Sequence, residues 1–532
     1  MPSFTNPIIP GFNPDPSVVF HDGIFYLVTS SFLAFPAIPL YASTDLVNWK
    51  QIGNVVTRDS QLDLSKAAIN LTGESSGVWA PTIRWHDGLF YVNVTCVDTN
   101  IPDWEDVSRF ESYIWTCADP FTEEWSDPVR FDFPGFDTSL FWDTDGKAYV
   151  QGSQSYKTFA LRQISQFEID LKTGKSLSGP PKFLWEGTGG IFPEAPHIFL
   201  KDGYYYLLIA EGGTYLDHSA RMARAKNIWG PYEAYEKNPV LTPPPRDEYV
   251  QTIGHADFVQ DGTGNWWAVA LGTRIGKGQE SPMGRETYLI PGAWPAGEWP
   301  SFQQPVKITT ETANLLPPKP LTKVSAFQHD GSLNEFTSSS NPSKFAPHWV
   351  FLRNAAYKNY ILSTSSPSSI TLVSTPLNLN AAANSPTFVG RRQTAVEFTA
   401  SVVVKTPPPK TEAGFTVFLD GIRHAEIFIV DGSVNFRTVE MGVQGVTKDV
   451  ASLTQNEPVE KLGKAVSVAS GAESVKFSVK GTESEFVFSY DGQEFGKINA
   501  REVSVGFCGT IIGVYAVGES TKADFADFTY TE

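Results

Sequence analysis

The chain has 532 residues, too many for one ordinary core, and its 41 basic and 58 acidic side chains leave a formal net charge of −17. No Lys/Arg block interrupts that acidity and no stretch is apolar enough to span a bilayer, so nucleic acid and membrane are not expected partners, whereas a neutral ligand meets no electrostatic penalty. With 13% aromatic residues, 19% charged residues, 43 glycines and 38 prolines, the composition suits many short strands joined by turns and excludes a helical bundle.

The opening MPSFTNPIIPGFNPDPS lacks the basic and apolar regions of a secretory leader. Three cysteines, Cys96, Cys117 and Cys508, make no disulfide framework and show no metal-ligand spacing. A protein kept in the cytoplasm is therefore expected. The triplets Asn70-Leu-Thr and Asn93-Val-Thr have the glycosylation pattern and leave secretion as the lesser alternative.

From here the chain repeats itself. SVVFHDGIFYLVTSS, TIRWHDGLFYVNVT, SLFWDTDGKAYVQGS, HIFLKDGYYYLLIAEG and DFVQDGTGNWWAVALGT each place an Asp-Gly turn between two strand-like runs, the strongest short-range hairpin signal. The turn aspartates Asp22, Asp87, Asp145, Asp202 and Asp261 lie 57 to 65 residues apart, room for a four-stranded blade each. Residues 1–314 are thus predicted to form a five-bladed β-propeller. Aligning the residue that opens each first strand gives Asp15, Trp79, Asp137, Glu194 and His255, with Val19, Ile83, Phe141, Ile198 and Val259 four positions on. Innermost strands surround the axis, so this alignment predicts a converging ring of three carboxylates, an indole and an imidazole.

Residues 315–324, with Leu315-Leu316-Pro317-Pro318-Lys319-Pro320-Leu321, read as a Pro-stiffened linker. Beyond it, AVEFTASVVV, AGFTVFLD, AEIFIV, SVKFSV, EFVFSY and DFADFTYTE alternate apolar and polar positions and predict an antiparallel β-sandwich over residues 325–532. The whole chain is therefore all-β.

The ring has the composition of a sugar-hydrolysing pocket. Glycoside hydrolysis needs one protonated carboxylic acid at the leaving group and one ionised carboxylate that activates water or attacks carbon. Apolar neighbours in GGIFPEAP and a nearby acid favour a protonated Glu194, making it the candidate acid. Asp15, between Pro14 and Pro16, is the candidate base, Asp137 the tuning group, and Trp79 a flat face for a sugar ring. The bland readings are a turn or cap role for each acid, a structural role for His255 and a tunnel plug for Trp79. The alternative of another class is a lectin-like propeller whose acids only hydrogen-bond hydroxyls.

NPIIPGFNPDPSVVFHDGIFYLVTSSF, SSGVWAPTIRWHDGLFYV, GFDTSLFWDTDGKAYV, FPEAPHIFLKDGYYYL, IGHADFVQDGTGNWWAVALGTR and PMGRETYLIPGAWPAGEWP resemble glycoside hydrolase family 43, in particular its β-xylosidase and α-L-arabinofuranosidase members. The resemblance implies an exo-acting, inverting hydrolase of xylan-derived oligosaccharides, with Asp15 as base, Asp137 as pKa modulator and Glu194 as acid. It further implies sugar binding by Arg285 and Phe32, besides Trp79 and His255; ion pairing of Arg285 with Glu286 and a core role for Phe32 are the alternatives. No cofactor is required by it, and Ca²⁺ near His255, through water, is allowed. WVFLRN, PTFVGRRQ and TEAGFTVFLD resemble the concanavalin-like domain that follows such propellers and places a loop over the pocket. In GFCGTIIGVYAVG the residues aligned with that loop's aromatic are Ile511 and Ile512, which predicts an altered lid contact. Pentose preference, chain length and oligomeric state stay open.

Overall fold

A computed structural model describes the chain except residues 70–73, 156–160, 328, 330, 442–456, 470 and 505–506. Five antiparallel sheets follow one another, each starting at an inner strand: Ser17–His21, Thr82–His86, Gly135–Trp142, Glu194–Lys201 and Val250–Gln260. They are the blades of a propeller, and each inner strand enters the predicted hairpin. Asp22, Asp87 and Asp202 take the left-handed conformation (φ 50°, 45° and 50°) that a two-residue hairpin turn demands, with glycine next. Blades 3 and 5 make wider turns, closed by backbone hydrogen bonds of Asp143 to Lys147 and of Asp261 to Asn265.

Inner strands are buried on both faces because each blade packs on the next. Separate apolar clusters fill the seams: Ile114 and Phe131 against Leu140 and Val150, Tyr149 and Ile164 against Ile198 and Leu207, Tyr206 and Leu208 against Phe258 and Tyr288. Val18 and Leu27 of blade 1 meet Val259 and Leu289 of blade 5 across the closing seam. There the N-terminal segment acts as a clasp. Ser3–Thr5 pairs with Thr309–Glu311, and the Asn6 amide exchanges two 2.9 Å hydrogen bonds with the Leu289 backbone.

The C-terminal half is a sandwich of a nine-stranded and a seven-stranded sheet, both antiparallel. One strand of the larger sheet is borrowed. Ala34–Phe35, from the blade 1 loop, pairs with Trp349–Leu352 in the register Phe351↔Phe35 and Leu352↔Ala34. The blade 1–blade 2 seam continues into the sandwich as one apolar cluster. Arg392 donates to the Phe12 carbonyl at 2.8 Å, and Gln51 to that of Pro347 at 2.9 Å. Leu315 and Leu316 of the Pro-rich stretch pack on the closing seam. Of the two glycosylation triplets, Asn70 lies outside the described residues. Asn93 is buried with its amide donating to the Thr138 carbonyl at 2.6 Å, so the folded protein does not offer it as an acceptor.

Candidate active site

Asp15, Asp137 and His255 each stand two residues before the regular hairpin ladder, which starts at Ser17, Ser139 and Asp257. All three have left-handed backbone, with φ of 55°, 53° and 45°. Such a conformation costs an L-residue roughly 1–2 kcal/mol, and here it re-aims the side chain from a blade face to the axis. In blade 4 the equivalent strained residue is Ala195 (φ 53°), and the pocket side chain comes from Glu194 just ahead of it. In blade 2 Trp79 also stands three residues before the regular ladder, which starts at Thr82, but with no left-handed residue between them. The single shared position expected from the alignment is therefore corrected: the ring converges, but Glu194 and Trp79 sit one residue earlier than the other three. Bulges interrupt the ladder at the mouths of the blade 3, 4 and 5 inner strands, while those of blades 1 and 2 pair without one.

The three carboxylates differ in their surroundings. Asp15 Oδ1 accepts from Arg285 Nη1 at 2.8 Å and Oδ2 from Ser30 Oγ at 2.6 Å, with His255 Nδ1 3.5 Å away. Burial alone would raise its pKa. The charges of Arg285 and His255, with the Ser30 hydrogen bond, outweigh burial and hold it below the usual carboxylate value. His255 Nδ1 stands 3.9 Å from Asp137 Oδ2, and burial, followed by the charge of Asp15, pushes the Asp137 pKa up to about 6 against the pull of His255 and Arg162. Burial, then Asp137, then Asp15 drive Glu194 well above its ordinary value. One acid is kept ionised and another protonated in a single cavity.

Local structure holds the acid's approach segment. Glu211, nearly unexposed, accepts from the Thr188 amide and, at 2.8 Å, from the Thr188 hydroxyl, and pairs with Arg221 at 2.8 Å. Gly187 (φ 77°) is needed there, since a Cβ would lie 1.9 Å from the Glu211 carboxylate. Below the ring, Ser17 Oγ and Arg84 Nη1 both donate to Asp257 Oδ2 at 2.7 Å, and Arg84 Nη2 donates to His197 Nδ1 at 2.9 Å. This floor ties four inner strands together.

The cavity measures about 550 Å³ including its mouth and brings Asp15, Phe32, Trp79, Asp137, Glu194, His255 and Arg285 together. Arg285 pairs with Asp15, while Glu286 is engaged by Arg274 at 2.7 and 2.8 Å. The indole N–H of Trp79 donates to the Ser75 carbonyl at 2.9 Å, leaving its ring among Phe32, Phe136 and Phe507. Sequence reasoning missed Glu74, Phe136, Phe192, Thr214, Tyr215 and Phe507 of this wall.

Phe507 corrects the lid expectation. It stacks on Phe32 with centroids 5.4 Å apart and planes 9° apart, and Arg285 donates to its carbonyl at 3.3 Å. Ile511 and Ile512 begin the strand Ile511–Val517 and are buried in the sandwich opposite Arg392 and Arg391. The lid aromatic exists, four residues earlier than the alignment placed it. Its loop is anchored by Thr510 N to the Pro282 carbonyl at 2.9 Å and Ser281 N to Ser504 Oγ at 2.8 Å.

A calcium ion wants six to eight oxygens. Asp15 is committed to Arg285 and Ser30, and among the described residues no group of three or more His, Cys, Asp or Glu could hold a metal.

The family model for glycosyl hydrolases family 43 matches residues 4–300, and that for the beta xylosidase C-terminal concanavalin A-like domain matches 337–532. The non-reducing end alpha-L-arabinofuranosidase BoGH43B of Bacteroides ovatus is 34% identical over 99% of this chain and 94% of its own length. A xylosidase/arabinosidase of Butyrivibrio fibrisolvens is 33% identical over 99% and 98%. The solved xylan beta-1,4-xylosidase of Bacillus halodurans superposes with a TM-score of 0.84 at 27% identity, covering 99% of this chain and 100% of that one.

Proposed function

The chain belongs to family 43 of the glycosyl hydrolases, and on that premise we propose that it removes terminal β-D-xylose, α-L-arabinofuranose or both from xylan-derived oligosaccharides, exo-acting and with inversion. One observation carries the reading: Asp15 is held ionised and Glu194 protonated across a pocket that Phe507 of the other domain narrows.

Asp15 takes a proton from water as that water attacks the anomeric carbon. Glu194 gives its proton to the departing glycosidic oxygen. Asp137, by charge and position, keeps Glu194 protonated until then. An inverting pair stands about 6.5–9.5 Å apart to admit the water. Arg285, besides holding Asp15, offers a planar fork suited to vicinal hydroxyls, and Phe32, Trp79 and Phe507 supply apolar ring faces. Pentoses fit a cavity walled this closely by aromatics, and the names of the two full-length relatives cover both pentose activities.

A lectin-like propeller would have no use for carboxylates driven apart in pKa. Purified protein is expected to release aryl alcohol from an aryl β-D-xyloside, an aryl α-L-arabinofuranoside or both; no release above a Glu194→Ala control would sink the proposal. Inversion is checked by proton NMR of the first-formed sugar, whose anomeric configuration should be opposite to that of the substrate. We also place the protein in a reducing compartment, a reading supported by its three unpaired cysteines and by the burial of Asn93. Cell fractionation would refute it by finding the chain outside the cell.

A further inference from the structure

His218 is a buried imidazole that the mechanism above does not use. It ends the blade 4 loop just ahead of the strand Ser219–Ala225 and is 1% exposed. Its Nδ1 lies 3.2 Å from the Thr252 carbonyl. A carbonyl only accepts, so Nδ1 carries the ring's hydrogen and Nε2 is left as a bare lone pair. That Nε2 is buried without a hydrogen-bond partner, and 4.0 Å from it stands Glu194 Oε1.

The chain makes particular room for this ring. A Cβ at position 254 would lie 2.6 Å from the imidazole, so only glycine fits there. Thr252, which supplies the carbonyl, has left-handed backbone (φ 57°) and is tied to Thr273 by a 2.8 Å hydroxyl contact. Burial, with His255 and Arg285 close by, lowers the pKa of His218 to about 3 against the weaker pull of the Thr252 carbonyl and Asp15, so the ring stays neutral.

We propose that His218 is a positioning residue for Glu194, whose Nε2 lone pair receives the carboxyl O–H of the resting acid and so selects its protonated form and its orientation. This rests on Glu194 being the acid of the proposed reaction. At 4.0 Å the hydrogen bond is not closed, and a side-chain shift of about 1 Å in the resting acid closes it. A lone pair facing a carboxylate is repelled, whereas one facing a carboxylic acid is satisfied. The other groups acting on Glu194 are Asp137 and Asp15, which favour its proton, and Arg162 and Arg285, which oppose it. None of these four is a neutral acceptor, and the imidazole lone pair adds direction; the Tyr215 phenol, which also faces Glu194, is a neutral hydroxyl that can donate as well as accept. When substrate enters, rotation about Cγ–Cδ turns the O–H to the glycosidic oxygen. The proton leaves Glu194 for that oxygen as the carbon–oxygen bond breaks, and Glu194 ends as carboxylate.

The test is His218→Asn, whose amide N–H can still serve the Thr252 carbonyl while nothing occupies the Nε2 position. The basic limb of kcat/KM should move to lower pH. An unactivated disaccharide should lose roughly tenfold in rate and an activated aryl glycoside only about threefold or less, because a good leaving group needs little protonation. His218→Gln, whose amide oxygen can stand where Nε2 stood, should restore the basic limb. In the wild-type protein, imidazole ¹⁵N shifts should show an unprotonated Nε2 between pH 5 and 8, a readout that needs no variant to fold. An unmoved basic limb with equal losses on both substrates overturns the proposal, as does a protonated Nε2. A wild type that releases no sugar would instead overturn the hydrolase reading itself, so the two failures are told apart.

Discussion

Replacing Asp137 by asparagine should stabilise the protein, and increasingly so as pH rises. The carboxyl of Asp137 titrates near 6 in the fold, against 3.8 for an ordinary aspartate, with burial as the first cause. A raised native pKa means that the folded protein holds this proton over a pH range in which the unfolded chain has released it. Stability from this group is therefore full below pH 3.8 and is lost as pH climbs towards 6. The difference of about two units corresponds to ~3 kcal/mol lost by the time pH 7.5 is reached, of which ~2 kcal/mol falls between pH 4.5 and 7.5. Asparagine cannot ionise, and its side-chain oxygen can still accept from the Ala195 amide that bonds Asp137. Paired urea unfolding of wild type and Asp137→Asn, followed by tryptophan fluorescence at pH 4.5, 6 and 7.5, measures the gap. The variant should be ahead at every pH and further ahead at each step. A constant gap, or a wild type that is the more stable at pH 7.5, would refute the electrostatic account. The cost sits at the active site because the same buried charge keeps Glu194 protonated.

Other substitutions test the remaining roles. Asp15→Ala should abolish turnover even of activated aryl glycosides, whereas Glu194→Gln should spare those and lose several orders of magnitude on disaccharides; equal losses would contradict the assignment of base and acid. Arg285→Met removes the cation that holds down the Asp15 pKa, so the acidic limb of kcat/KM should move to higher pH, and an unmoved limb would show the pair is inert. Phe507→Ala should raise KM with the fold intact, costing kcat/KM about tenfold for ~1.4 kcal/mol of lost ring contact. Exhaustive chelation should leave the rate unchanged, and a loss of activity that only Ca²⁺ restores would show that the reaction needs the ion.

What was legible in the sequence was whatever repeats or alternates locally. The five Asp-Gly turns announce the blades because a tight hairpin turn leaves few residue choices, and strict alternation announces the sandwich. The three acids were legible because equivalent positions of a repeat must converge. Their exact register was not: the bulge that sets Glu194 one residue early, and the chain entry that does so for Trp79, carry no compositional mark. Phe507 was missed for a different reason. Its place depends on Ser504, Phe507 and Thr510 docking against Ser281, Pro282 and Arg285, more than two hundred positions away, and no local pattern reports such a contact. His218 carries no mark in the sequence, because its tautomer is set by the Thr252 carbonyl of another blade.

The exchange of Ala34–Phe35 into the sheet of the sandwich bears on any attempt to treat the two halves as interchangeable parts. Cutting the chain after the propeller would leave Leu33–Phe35, just beyond Phe32, without their backbone partners in the sandwich and strip the Arg285 guanidinium of the carbonyl it holds. It would also bare an unpaired edge at Trp349–Leu352 on the excised sandwich, an invitation to aggregate. Grafting a different sandwich onto these blades would then be a change of substrate pocket as much as a change of appendage. Selection on sugar preference can act through residues of either half, and the seam between them is where a designer would alter specificity without touching a carboxylate.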